Sequence, residues 1–151
     1  MTDYALLTAQ LASLIEGEPD LIANLANAAA LLNSEVEGLN WVGFYLVKGD
    51  QLVLGPFQGL PACIRLPYGK GVCGSSWRRG ESVRVDDVHT FPGHIACDSA
   101  SLSELVIPLF DSGVVWGVLD LDSPRLARFS EHDQAGLETF CRVLEDGLKR
   151  P

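Results

Sequence analysis

Positive charge is scarce in this chain: 11 Lys and Arg stand against 20 Asp and Glu, for a formal net charge of -9. A nucleic-acid partner needs Lys and Arg to meet its phosphates, so the balance argues against one. No apolar run approaches the roughly 20 residues that span a bilayer, which argues against a membrane segment. The N-terminal stretch has no basic region ahead of its apolar positions and carries Asp3, Glu16 and Glu18, so it does not read as a signal peptide. The four cysteines show no C-x-x-C spacing, the pattern expected of a structural zinc site. Internal repeats, low-complexity tracts and domain linkers are also missing. These absences point to a cytoplasmic location. In that reducing compartment standing disulfides are rare, and cysteine pairs are more often catalytic or metal-binding.

What the chain does have suffices for one hydrophobic core: 151 residues, 47% apolar and 21% charged, ordinary values for a single folded domain. Thr2 or Asp3 can cap a first helix, along which Tyr4, Leu7, Leu11, Leu14 and Ile15 recur at helical spacing. Gly17 and Pro19 interrupt it. A second helix follows with Leu21, Leu25, Ala28 and Leu32 on one face, widened by Ile22 and Ala29. The two helices either cover a sheet or form a self-associating surface.

Residues 40–47 read as a strand, Lys48-Gly49-Asp50 as a turn, and residues 52–57 as the returning strand. A Gly- and Pro-rich loop over 58–70 contains an extended piece at 64–66. Residues 71–80 form a short helix closed by Gly80, and residues 82–85 a short strand. Asp111-Ser112-Gly113 is a hairpin signal between strands at 105–110 and 114–121. Ser130 and Asp133 form a capping-box pattern ahead of a last helix with Leu137, Phe140, Cys141, Leu144 and Leu148 inward. The sum is an α+β fold: a central, mostly antiparallel sheet of about five or six strands, with N-terminal helices and a C-terminal helix packed on it.

The chemistry-bearing stretch is the polar loop before the hairpin. Cys97 sits among Gly93, His94, Asp98, Ser99 and Ser101 rather than apolar neighbours, and the loop runs straight into a strand that begins near Glu104. Loops on rigid scaffolds are where chemistry tends to be placed. Counting back from the hairpin sets Glu104 opposite Asp120 or its immediate neighbour, and Asp120 shares a face with Asp122. Three gathered carboxylates repel one another, so some of their pKa values rise unless a cationic ligand, a metal or retained protons relieve them. Alternatively, Asp122 belongs to a turn with Pro124 and the other two face solvent. On the first strand Trp41 and Tyr45 point to the side opposite Val42, Phe44 and Leu46, as a pocket wall or a structural aromatic pair. Cys141 falls on the apolar face of the last helix and reads as core. Cys63, Cys73 and Cys97 lie in Gly-rich or polar surroundings, which fits thiol redox chemistry better than a zinc site completed by His94 or His89.

Several spaced motifs carry a resemblance. They are residues 54–63 ending in Cys63, Gly69-Lys-Gly-Val-Cys73-Gly74, residues 87–98 containing Cys97, Ser103-Glu104, and Gly117-Val-Leu-Asp120-Leu-Asp122-Ser-Pro124. Together they resemble the free methionine-(R)-sulfoxide reductases, which are built on a GAF domain. The resemblance implies a single GAF-like domain over 1–151, with helices in 1–35 and a core over 40–148. It implies that Cys97 is the nucleophile toward the sulfoxide sulfur of free methionine-(R)-sulfoxide, that Cys63 is the main resolving cysteine, and that Cys73 can also form a disulfide. It makes Trp41, Tyr45, Glu104, Asp120 and Asp122 the substrate site; the proton donor is one of the three acids, and the chemistry favours Glu104. No bound cofactor is implied, and no metal. Thioredoxin, fed by NADPH through thioredoxin reductase, is the implied reductant, and the chain is expected to form a homodimer. The competing expectation is a non-enzymatic GAF sensor that binds a small ligand or switches by a disulfide.

Overall fold

The computed structural model describes residues 1–148; the last three residues of the expected single unit lie outside the described residues. The chain opens with α1 (Tyr4–Ile15), capped by Asp3, whose carboxylate accepts from Leu6 N at 3.0 Å. Asp20 caps α2 (Leu21–Glu35) in the same way through Ala23 N. Then come β1 (Trp41–Lys48), β2 (Gln51–Gly59), β3 (Arg65–Pro67), α3 (Gly71–Arg79), β4 (Val83–Val85), β5 (Ser103–Asp111), β6 (Val114–Ser123) and α4 (Glu131–Gly147). The last helix starts at the capping box read from the sequence, with Ser130 and Asp133 exchanging side-chain to backbone bonds.

The strands form one six-stranded sheet in the order β3-β2-β1-β6-β5-β4. Each neighbouring pair is antiparallel. Both faces are covered. On one, Val42, Phe44, Leu105, Ile107, Leu119 and Leu121 meet the apolar stripes of α1, α2 and α4. Phe44 is wholly buried there, and truncating such a phenylalanine to alanine costs about 3–5 kcal/mol. On the other face Trp41, Tyr45, Val106 and Val118 lie with Val72 and Cys73 of α3.

Two helix expectations need correction. Leu14 is 48% exposed and Ile22 55% exposed, so neither faces the core. The apolar stripe of α1 is the narrower set Tyr4, Leu7, Leu11 and Ile15, which suffices because α4 and α2 cover only one side of it.

The β5–β6 hairpin also differs from a simple count. Near its tip Asp111 pairs with Val114 and Phe110 with Val115, but Leu109 pairs with Gly117. Trp116 is the extra residue of a β-bulge. The amide of Phe110 at this irregularity donates instead to the Glu145 carboxylate of α4. The bulge sets parity. Residues directly opposite in an antiparallel pair share a face, so without it Glu104 would pair with Leu121 and face the helices. With it Glu104 pairs with Asp122, and Val106 with Asp120. The correction is therefore to the partner, Asp122 rather than Asp120 or its neighbour, and all three acids emerge on the α3 side.

Gly43 lies opposite Asp120 on β1, and a Cβ built on it would come within 2.3 Å of Phe57 Cβ. Gly43→Ala is expected to destabilise the fold by about 1–3 kcal/mol through overpacking, read as a lower urea midpoint with an unchanged slope. An unchanged midpoint would show that Phe57 gives way freely.

Candidate active site

The site lies on the α3 side of the sheet, where β1, β6 and β5 are adjacent. Glu104 and Asp120 are each 6% exposed and Asp122 is 9% exposed, so all three carboxylates are out of water. Asp122 belongs to β6 rather than to a turn. Cys73 of α3 reaches down to the same group: its thiol, a Glu104 oxygen and an Asp120 oxygen all lie within 4.8 Å of one another. Asp120 Oδ1 is buried without a hydrogen-bond partner, a group that a cationic ligand would satisfy.

Burial and mutual repulsion set the protonation of this floor. Burial, then the charges of Asp120 and Asp122, pushes the Glu104 carboxyl well above the usual carboxylate range. Burial likewise raises Asp122, with Asp120 adding repulsion, and raises Asp120 despite hydrogen bonds from Glu104 and Cys73. The Cys73 thiol is pushed far up by burial and then by the charge of Asp120, which keeps it protonated and a poor nucleophile. His94 Nε2 stands 3.9 Å from Glu104 Oε1. Burial and then His89 lower the His94 pKa while burial raises that of Glu104, and both shifts work against an ion pair at this contact.

Above the floor, Trp41 and Tyr45 stack with ring centroids 5.9 Å apart, and Phe57 backs Trp41 at 5.2 Å. With Cys73, Cys97, Glu104 and Asp120 the two aromatics line a cavity of about 50 Å³. A water needs at least about 10–15 Å³ on this measure, so the cavity has room for a small polar group. At its mouth Cys63 and Cys97 are joined in a disulfide, their Cα atoms 5.4 Å apart.

The structure thus gathers Trp41, Tyr45, Cys73, Cys97, Glu104, Asp120 and Asp122 around one cavity and ties Cys63 to its rim. Cys141 is fully buried in the opposite core. His89 is exposed and paired with Asp87, and it does not line this cavity. Sequence reasoning missed Asn40. Its side-chain amide donates to Asp98 Oδ2 at 2.9 Å and Ser101 Oγ at 3.0 Å, holding the loop that carries Cys97. A polar residue just before a strand gives no periodic signal, and its partners lie 58 and 61 positions away.

Residues 20–148 match the GAF domain family. A free methionine-R-sulfoxide reductase of Escherichia coli is 49% identical over 96% of this chain and 88% of its own length. The chain belongs to the free methionine-R-sulfoxide reductases. The fRMsr of Staphylococcus aureus in its reduced form matches with a TM-score of 0.96 at 49% identity, over 99% of this chain and 97% of that one. The free methionine-R-sulfoxide reductase of Neisseria meningitidis, in complex with its substrate, matches with a TM-score of 0.93 at 48% identity, over 96% and 87% of the two chains. As a member of this family the chain carries a GAF fold in which Cys73, Cys97 and the acidic floor share one pocket.

Proposed function

We propose that this protein reduces free L-methionine-(R)-S-oxide to L-methionine with electrons from its own thiols. One observation carries the reading: a disulfide between Cys63 and Cys97 borders a cavity floored by three buried carboxylates. The oxidised pair is the product state of the reaction. In the reduced enzyme the Cys97 thiolate attacks the sulfoxide sulfur. A protonated acid of the floor, Glu104 in our assignment, delivers a proton to the sulfoxide oxygen. The S–O bond of the substrate breaks, the released hydroxide attacks the Cys97 sulfur, the new sulfur–sulfur bond to methionine breaks, methionine leaves, and Cys97 is left as a sulfenic acid. The Cys63 thiolate then attacks that sulfur and expels water, closing the disulfide. Two electrons pass from the two thiols to the sulfoxide sulfur, and a dithiol such as thioredoxin restores them by exchange.

Ionised members of the acid cluster receive the substrate ammonium through charge-assisted hydrogen bonds, and Trp41 and Tyr45 enclose the S-methyl end. The unsatisfied Asp120 Oδ1 supports the first role. The start of α3, which has no side-chain cap and borders the cavity, suits the substrate carboxylate. Cys63 is the resolving residue in this reading. Cys73 is buried against the floor with a raised pKa, which suits a secondary role. The same reading places the protein in the cytoplasm beside thioredoxin, as a homodimer for which exposed Leu6, Leu14 and Ile22 offer apolar surface. No helix among the described residues is long and apolar enough to cross a membrane.

The test supplies pure R and S epimers of the free amino acid with thioredoxin, thioredoxin reductase and NADPH. NADPH oxidation is expected with R alone, and its absence with R overturns the activity. Peptide mass mapping after oxidation by substrate is expected to find Cys63 joined to Cys97. A Cys73–Cys97 peptide as the main product would reassign the resolving residue.

A further inference from the structure

β1 carries more than the wall of the pocket. The indole Nε1 of Trp41 donates to the Leu60 carbonyl at 3.2 Å, and the Tyr45 hydroxyl donates to the Cys63 carbonyl at 2.8 Å. These acceptors are main-chain oxygens of the loop that bears the resolving cysteine. One belongs to Cys63 itself and the other to a residue three positions before it. Besides these bonds the loop is held by the Leu54 amide, which donates to the Ile64 carbonyl at 2.8 Å, and by Ala62 and Cys63 packed on the core, while Leu60 and Ile64, 65% and 66% exposed, contribute little burial. From the other end of the same strand segment, Asn40 holds the Cys97 loop through Asp98 and Ser101. The side chains of one short run, residues 40–45, therefore fix both loops whose cysteines meet.

We propose that Trp41 and Tyr45 are positioning residues for Cys63: their hydrogen bonds to the Leu60 and Cys63 carbonyls seat the resolving cysteine against Cys97 and so set the rate at which the disulfide closes. The role rests on the reduction chemistry proposed above and adds to the two residues' place in the substrate wall. Each has a single hydrogen to donate, one N–H for indole and one O–H for phenol. In the disulfide state both are committed to the loop, so neither is available to a substrate oxygen. Burial, then the nearby charge of Asp120, holds the Tyr45 phenol far above its ordinary pKa, and it remains a donor at every working pH. Loop closure and the substrate wall thus draw on the same two side chains, the rings for the wall and their single donors for the loop.

The experiment is a single turnover of reduced enzyme with equimolar free methionine-(R)-sulfoxide and no reductant. Three quantities are followed: methionine released, the Cys63–Cys97 disulfide by alkylation and mass spectrometry, and Cys97 sulfenic acid trapped by a cyclic β-diketone. Tyr45→Phe keeps the ring and removes only the loop bond. A net hydrogen bond contributes about 0.5–1.5 kcal/mol, so the ratio of disulfide-closing rate to methionine-release rate is expected to fall about three- to tenfold. Trapped sulfenic acid should rise accordingly, and Trp41→Phe should act in the same direction. A loss of ring packing or of overall stability would slow both steps together and leave the ratio at the wild-type value; that outcome overturns the positioning role. So does a wild-type disulfide rate in both variants. Failure of the unsubstituted enzyme to release any methionine would overturn the activity itself, and this role with it.

Discussion

Cys97→Ser is expected to lower turnover of free methionine-(R)-sulfoxide by roughly 10⁴-fold or more, the scale seen when a covalent nucleophile is removed. A hydroxyl at this position is neither ionised near neutral pH nor able to pass through a sulfenic acid to a disulfide, so both halves of the cycle stop. The variant should nevertheless bind. Its carboxylate floor, Trp41 and Tyr45 are untouched, and no disulfide can draw the Cys63 loop over the cavity. Substrate at about 100 times its Kd stabilises a folded protein by about 2.7 kcal/mol, which for a chain of this size is a shift of about 5–10 °C in Tm. The expected pair of results is no methionine and a clear thermal shift. Retention of even a tenth of the activity would move the nucleophile elsewhere, whereas absence of the shift would show that Cys97 is needed to form the pocket.

Glu104→Gln is expected to lower kcat by about 10²–10³-fold while making the protein more stable. Activity falls because the amide cannot deliver a proton to the departing oxygen. Stability rises because Glu104, Asp120 and Asp122 are crowded and buried, with all three pKa values raised. The sign follows from proton linkage. A carboxyl whose folded pKa is raised binds more protons folded than unfolded between its two pKa values, so stability declines as pH rises through that window. Above it the full penalty is present; near the ordinary carboxylate pKa of about 4 it vanishes. The stability advantage of Glu104→Gln should therefore be greatest at neutral and alkaline pH and shrink as pH approaches about 4. An advantage on the order of 1 kcal/mol corresponds to about 2–4 °C in Tm. Thermal melts of both proteins across pH provide the check. A variant less stable than wild type at neutral pH would mean that Glu104 is held ionised by a partner rather than penalised. In the kinetics, wild-type kcat should fall on the alkaline side as the floor deprotonates, and the pKa read there belongs to the coupled cluster rather than to one residue.

Much of this was legible in the residues. Helical spacing located α1, α2 and α4, and Asp111-Ser112-Gly113 located the hairpin. Alternation separated Trp41 and Tyr45 from Val42 and Phe44 correctly, since each strand position has only two directions to choose from. Leu14 and Ile22 misled because an apolar residue at helical spacing does not say how far the partner surface extends. The partner of Glu104 depended on an unpaired Trp116, and nothing about a tryptophan in a β-rich run marks it as the extra residue of a bulge. The roles of Trp41 and Tyr45 toward the Cys63 loop were hidden because their acceptors are carbonyl oxygens. Every residue has one, so such bonds leave no compositional trace.

The bulge at Trp116 also constrains how this arm can change in length. Hairpin tips ordinarily absorb insertions and deletions, and residues 112–113 at the turn are free to do so. Between Val115 and Gly117 the strand carries one residue more than its partner. Deleting Trp116 alone would close the bulge and still leave Leu109 opposite Gly117 and Glu104 opposite Asp122, whereas keeping Trp116 in a regular ladder would set Glu104 opposite Leu121. A graft within this arm can therefore lose this one residue, but a segment of unchanged length must keep the bulge to hold Glu104 opposite Asp122.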